Sequence, residues 1–323
     1  MKTFEPAPSR PAPKMTAGFI AWLKNNLFSS IPNTITTIFI LVLLANVLPG
    51  IFDWLFYSAN WSGETQDDCV KDGACWVFIS AWSQQFFYGS YPTEEIWRDN
   101  LSLILLIITL LGSFFVKKGV REKAFVALFL ALPFISILIL DGSWIGLEQV
   151  TTDYWGGFSL NIFLAAASII VAFPLGFIWA LGRRSSMPMA RSISIILIEF
   201  FRGVPVLALF FMGSVMLPLF FPEGTNVDKL LRVWIVLTLF MAGYMAEVYR
   251  GGFNAIPSGQ YEAADSLGLG YWQKTLLIVL PQVIKISMPN ILATFIMLFK
   301  NTSFLMIIGI FEILSTTQAA LSN

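Results

Sequence analysis

Residues Glu262 to Pro281 read EAADSLGLGYWQKTLLIVLP and interrupt a chain that is otherwise mostly apolar. Glu262, Ala263 and Ala264 suit the start of a short helix whose small side chains permit close approach, and Gly268 and Gly270 permit a sharp turn. Leu280-Pro281 is expected to end this loop, because the residue before a proline resists the helical conformation. Gly268 to Thr275 ends like a phosphate-binding loop, but Gln273 stands where that loop requires glycine, and Tyr271 and Trp272 crowd the bend. The stretch therefore predicts a polar helical elbow between two spans, with no nucleotide site of its own.

The rest of the composition explains why such an elbow stands out. The 323 residues are 56% hydrophobic and 12% charged, which places the chain outside soluble domains and among integral membrane proteins. Lysine plus arginine equals aspartate plus glutamate at 20 each, so net charge argues against a nucleic-acid partner. There is no histidine, which removes histidine-ligated metals and histidine-based catalytic triads; no metal site and no catalytic residue is expected.

Taken in order, residues 1–17 read as a Pro-rich disordered tail without a signal-peptide core. Residues 18–31 place Phe19, Trp22, Leu23, Leu27 and Ile31 on one helical face, as in a helix lying in the membrane interface. Pro32-Asn33-Thr34 supplies turn and cap chemistry before a first span, Ile35 to Leu48. Residues 49–100 form a long acidic, Trp-rich loop suited to the headgroup layer, an aromatic ligand surface being the alternative. Further spans are expected over Leu101–Val116, Ala124–Leu140, Gly157–Leu181, Ser192–Phe221, Lys229–Val248 and Gln282–Phe299. The apolar run Phe304–Leu314 is too short to cross. The fold class is thus an all-α polytopic bundle of about seven spans.

Basic residues set the orientation. With the N-terminus in the cytoplasm, Lys117, Lys118, Arg121, Lys123, Arg183, Arg184, Arg191, Arg202, Arg250, Lys274 and Lys285 join the basic residues before the first span on the inside. Only Lys71, Arg98, Lys229 and Arg232 fall outside, and Lys300 is unassigned. The elbow then faces the cytoplasm. Cys69 and Cys75 share an outside loop, where an oxidising compartment would let them pair; two free thiols are the alternative.

The spacing Glu262-Ala263-Ala264, Gly268, Ile278 to Pro281 resembles the EAA loop of ATP-binding-cassette importer permeases. Glu199-Phe-Phe-Arg202-Gly203-Val-Pro205, Ala246-Glu247-Val-Tyr-Arg250-Gly251-Gly252, Ile256-Pro257-Ser-Gly259-Gln260-Tyr-Glu262, and Lys300-Asn301-Thr302-Ser303 resemble the polar amino-acid subgroup, of the histidine, glutamine and general L-amino-acid type. The resemblance implies a type I importer transmembrane domain. Residues 151–323 would be the permease core, with the coupling loop at 250–281 and added N-terminal spans in 32–150. It further implies that Gln260, Glu262, Ala263, Ala264, Asp265, Gly268, Leu269 and Gly270 meet a partner ATPase, which uses ATP and magnesium while this chain binds no cofactor. A second permease, a pair of ATP-binding subunits, an extracytoplasmic binding protein and an amino-acid substrate complete the implied assembly in the bacterial inner membrane. The resemblance implies eight spans in this subgroup, so a final helix is expected beyond the chain as it stands, the alternative being that the half-helix after Phe304 ends it.

Glu199 with Arg202 and Glu247 with Arg250 are acid–base pairs at i,i+3 spacing. They either pin helix ends or line the inner mouth of the pathway. Lys300, Thr302 and Ser303 mark either a broken helix open to a cavity or a lysine reaching the outer interface. An ion-coupled secondary transporter is the competing function, with the intramembrane pairs as coupling groups.

Overall fold

The computed structural model describes residues 18–69, 72–115, 119–222, 224–225 and 227–322. The tail expected over 1–17, and Lys71, Lys117 and Lys118, lie outside the described residues. Among the described residues the chain is helical, with two isolated β-bridges and no strand. Among the same residues six helices are long and apolar enough to cross a membrane, and a bent pair, counted as one span, brings the number to seven.

The chain divides after Trp82 into two units. In the first, α1 (Phe19–Asn26) is followed by α2 (Ile31–Phe52). The cap of α2 is Ser30, whose hydroxyl accepts from the Asn33 amide, so Pro32-Asn33-Thr34 lies inside the first turn rather than before it. Proline is compatible with that position because its missing N–H is one the helix leaves unpaired anyway. The helix also runs through Pro49 and a π-turn, Asp53–Tyr57, so the first span reaches well into the expected outside loop. The end of this unit is cross-linked: Cys69 and Cys75 form a disulfide, with Cα atoms 5.7 Å apart. Trp61 stacks on Trp76 at 5.4 Å, and the Trp76 indole donates to the Leu55 carbonyl at 2.8 Å. Asp68 accepts from the Thr65 and Glu64 amides, which hold its carboxyl below the ordinary 3.8.

α3 (Trp76–Tyr88) is a helix where the sequence suggested loop. The second unit then holds α4 (Ile96–Phe115), α5 (Val120–Asp141) and α6 (Gly157–Arg184). Tyr91 donates to the Leu140 carbonyl at 2.8 Å, and burial pushes its phenol up to about 12. α4 is fastened to the segments after it by buried polar groups: Arg98 donates to the Glu148 carbonyl at 2.8 Å, and Ser159 donates to Asp99 at 2.7 Å.

The span expected over Ser192–Phe221 is broken. α7 (Pro188–Gly203) and α8 (Val206–Phe211), the latter continued by irregular turns to Phe220, meet at 104°. Val204 is extended at the break, as steric conflict with the Pro205 ring requires. α9 (Lys229–Asn254) and α6 are the two most heavily buried helices among the described residues, and each is the other's main neighbour. A Cβ on Gly176 would lie 2.6 Å from the Met245 Cβ, so the absent side chain is what lets the two backbones close, the usual device where lipid supplies no hydrophobic drive.

α10 (Ser258–Ser266) and α11 (Tyr271–Gln273) follow, then a π-turn over Lys274–Val279 and α12 (Leu280–Asn301). Leu280-Pro281 therefore does not end the loop. Proline excludes the carbonyl four residues back and offers no amide, and the wider π-turn accommodates both defects while the helix continues. Nor does α12 break at Lys300; it tightens to a 3-10 turn over Thr302–Ile308 and stops at Gly309. α13 (Ile313–Ser322) closes the described chain.

Candidate functional site

The elbow is built from a helix stop that the motif spells out. Gly268 adopts φ +72°, its amide donates to the Asp265 carbonyl at 2.9 Å, and the Leu269 amide donates to the Ala264 carbonyl at 3.2 Å. These two bonds make a Schellman cap, in which a left-handed residue reverses the chain and satisfies the last carbonyls. Ala264 is buried and Leu269 half-buried, at the two positions where such caps commonly carry an apolar contact. The spacing from Ala264 to Gly268 is thus a geometric requirement of the turn.

Beyond the cap, the Gln273 side chain accepts from the Gly270 amide at 3.1 Å and starts α11. Lys274 forms an ion pair with Asp265 across the elbow, and Gln282 donates to Gln260 at 3.0 Å, tying α12 back to α10. Lys274, the residue that gave the stretch its likeness to a phosphate loop, is engaged as a clamp. Glu262, Ala263, Asp265, Gly268 and Gly270 are exposed. So are Leu267 at 77% and Trp272 at 61%, which makes the tip an apolar knob on a polar stem.

Next to the elbow, at the ends of α6, α7 and α9, the predicted acid–base residues converge in a different pairing. Glu247 is the hub. Its carboxylate lies 2.8 Å from Arg183, 2.7 Å from Arg250 and 3.6 Å from Arg202. Glu199 pairs with Arg183 at 2.9 Å and makes no ion pair with Arg202. The expected Glu247–Arg250 pair is present, whereas the expected Glu199–Arg202 pair gives way to contacts between helices. Arg202 instead reaches Glu247 and lies 5.7 Å above the Tyr244 ring. Arg183 was legible only as one of many inward basic residues, because nothing local to it signals a partner on another helix.

Lys300, Thr302 and Ser303 lie at the far end of the bundle. Lys229, near this group, and Glu247 in the cluster are separated by about 27 Å along α9, at 1.5 Å per residue. Thr302 is fully buried and accepts from Asn161 at 2.8 Å, while Lys300 is exposed. A residue that the sequence did not flag completes this node. Glu312 is fully buried and accepts from Asn161 at 3.4 Å, from the Leu314 amide at 3.0 Å and from the Ser315 amide at 2.9 Å, capping α13. A lone glutamate in an apolar run was the available signal, since buried charge in a span demands partners.

No group of three or more acidic, cysteine or histidine side chains is placed to hold a metal among the described residues. What the geometry offers is an exposed elbow that continues α9, a span which an ionic hub ties to α6 and α7. Residues 172–321 match the family described as binding-protein-dependent transport system inner membrane component. The chain is 44% identical over 97% of its length to the inner membrane amino-acid ABC transporter permease protein YhdY of Escherichia coli (strain K12), covering 85% of that protein. It is 35% identical over 94% of its length to the glutamate/glutamine/aspartate/asparagine transport system permease protein BztC of Rhodobacter capsulatus, covering 85% of it. The probable amino-acid permease protein YxeN of Bacillus subtilis aligns over 47% of this chain and 68% of its own length at 37% identity. The chain belongs to the amino-acid ABC transporter permease family and is a multi-pass protein of the inner membrane.

Proposed function

We propose that this subunit forms part of the pathway by which polar L-amino acids enter the cell, and that its elbow transmits the work of a partner ATPase. The observation that carries the reading is the exposed, Schellman-capped elbow, braced by the Asp265–Lys274 and Gln260–Gln282 contacts. A stiff projection transmits a push; a mobile loop would absorb it. The N-terminus and the elbow face the cytoplasm, supported by the basic residues gathered at the ends of α6, α7 and α9. ATP and magnesium act in the ATPase pair, and a sister permease and an extracytoplasmic binding protein complete the assembly. In the sequence the N-terminal spans precede a permease core from about residue 151, which comprises α6 to α13.

Movement of the elbow reaches α9 directly, because α10 follows α9 after only a short turn. The Glu247 hub joins α9 to α6 and α7, so it holds the inner mouth in one arrangement. Exchange of its arginine partners accompanies the change between inward- and outward-facing states, whose relative stability ligand and ATP bias. Lys300 and Ser303, at the opposite end, are the candidates for first contact with substrate, and Thr302, buried against Asn161, holds the turn that presents them.

The test is uptake by proteoliposomes holding the complete transporter. Uptake requires internal ATP and the binding protein. Uptake driven by an ion gradient in ATP-free vesicles would refute the proposal and favour a secondary transporter.

A further inference from the structure

A cavity of about 610 Å³ opens between the end of α6, the α6–α7 turn and the aromatic pair on α11. Its two ends differ in chemistry. Phe177, Ile178 and Leu181, from the last turns of a membrane span, make one end apolar. Arg184, Ser185 and Ser186 make the other polar and basic, and Tyr271 and Trp272 form a wall. Among the described residues no acidic side chain lines it. Arg184 makes a 3.4 Å contact with the Asn254 side chain and lies 4.9 Å above the Phe253 ring, but among the described residues it has no carboxylate partner. It differs in this from Arg183 beside it, which meets two carboxylates. α7 also begins here without a side-chain cap; Pro188 has no amide and the Met187 amide donates to the Ser185 hydroxyl at 3.1 Å, so the Met189 and Ala190 amides are the donors left at this end.

An apolar shaft at membrane depth, a basic mouth with unspent charge and an aromatic wall match one kind of molecule. We propose that this cavity holds an anionic phospholipid of the leaflet on the elbow side, its phosphate at Arg184 and the serine hydroxyls and one acyl chain against Ile178 and Leu181. Water would leave the apolar end unsatisfied, and a soluble anion would leave it empty. A lipid fills both ends, and Arg and Trp are the residues that anchor headgroups at an interface. Because Tyr271 and Trp272 belong to the elbow, the lipid would brace α11 against α6. The leaflet's identity as cytoplasmic rests on the orientation proposed above; the presence of the site does not.

The experiment uses the complete transporter in nanodiscs, which expose both leaflets, so the binding result is independent of orientation. Tryptophan quenching is compared for brominated phosphatidylglycerol and brominated phosphatidylcholine, each diluted into unlabelled phosphatidylcholine. The expected result is stronger quenching by phosphatidylglycerol. That excess should vanish in Trp272→Phe. Arg184→Gln should weaken the phosphatidylglycerol preference about fivefold, the contribution of one basic residue at an anionic surface, and Arg184→Lys should retain it. Equal quenching by the two lipids, persistence of the excess in Trp272→Phe, or equal loss with Lys and Gln would overturn the proposal. Displacement by soluble glycerol phosphate would overturn it in favour of a free anion.

Discussion

Replacing Gly268 by alanine tests the elbow at its most demanding residue. Gly268 sits at φ +72°, and an added Cβ would meet no atom within 4 Å. Crowding therefore contributes nothing, and the whole cost is the left-handed backbone, about 1–2 kcal/mol for an L-residue with a Cβ. A cost of that size lowers the population of the capped elbow, relative to any uncapped alternative, by a factor of roughly 5 to 30. Asparagine tolerates the left-handed region better than alanine, so Gly268→Asn should fall between glycine and alanine although its side chain is larger. The assay is binding-protein-stimulated ATP hydrolysis together with uptake in proteoliposomes. In Gly268→Ala hydrolysis should continue while uptake per ATP falls. Wild-type coupling in the alanine variant would refute the reasoning. Damage that grew with side-chain size, leaving asparagine worse than alanine, would show that the site is limited by contact with the ATPase and not by backbone conformation.

Four other outcomes follow from the same contacts. Glu247→Gln leaves Arg183, Arg202 and Arg250 facing one another with a single carboxylate, Glu199, and should lower stability by about 1–3 kcal/mol, less than for a fully buried pair because the arginines are partly exposed; unchanged thermal unfolding in detergent would count against the hub. Single replacement of Asp265 or Lys274 by the opposite charge should reduce coupling, and the double exchange should restore it; failure of the exchange would mean that the ion pair does not brace the elbow. Non-reducing peptide mapping should recover Cys69 and Cys75 in one linked fragment, and Cys69→Ser should cost the N-terminal unit about 2 kcal/mol, the figure for closing so short a loop; free alkylation of both thiols would refute the bond. Asp68 is held below 3.8 by the Thr65 and Glu64 amides, so its contribution is complete above its unfolded value and is lost as pH falls through the folded one; Asp68→Asn should loosen the loop to proteolysis at neutral pH, and an equal difference at pH well below 3.8 would contradict this assignment.

Several of these features were legible in the sequence because they are local or are imposed by the solvent. The spans were readable since lipid demands apolar helices of a minimum length. The break at Val204-Pro205 and the continuation at Leu280-Pro281 show where local rules stop. Both pairs carry the same steric conflict, yet at Val204 the chain turns by 104° while at Leu280 a π-turn keeps the helix running. Which relief is used depends on what the following segment packs against. In the same way, i,i+3 spacing correctly paired Glu247 with Arg250 but misdirected Arg202, because Arg183 arrives from another helix and takes Glu199. Glu312 went unremarked because its partners, Asn161 and the start of α13, meet it only after folding.

The sequence by itself determined a helical membrane protein and the place of its elbow, and it held what the cap needs, since the two bonds, Gly268 to Asp265 and Leu269 to Ala264, span five residues or fewer. Only the tertiary structure decided which charges share a hub, which polar groups are buried at the far end, and that a basic-mouthed cavity lies beside the elbow. Those depend on side chains more than a dozen residues apart in sequence arriving side by side, and the energy of a charge or a cavity is set by its neighbours in space, on which helical periodicity is silent.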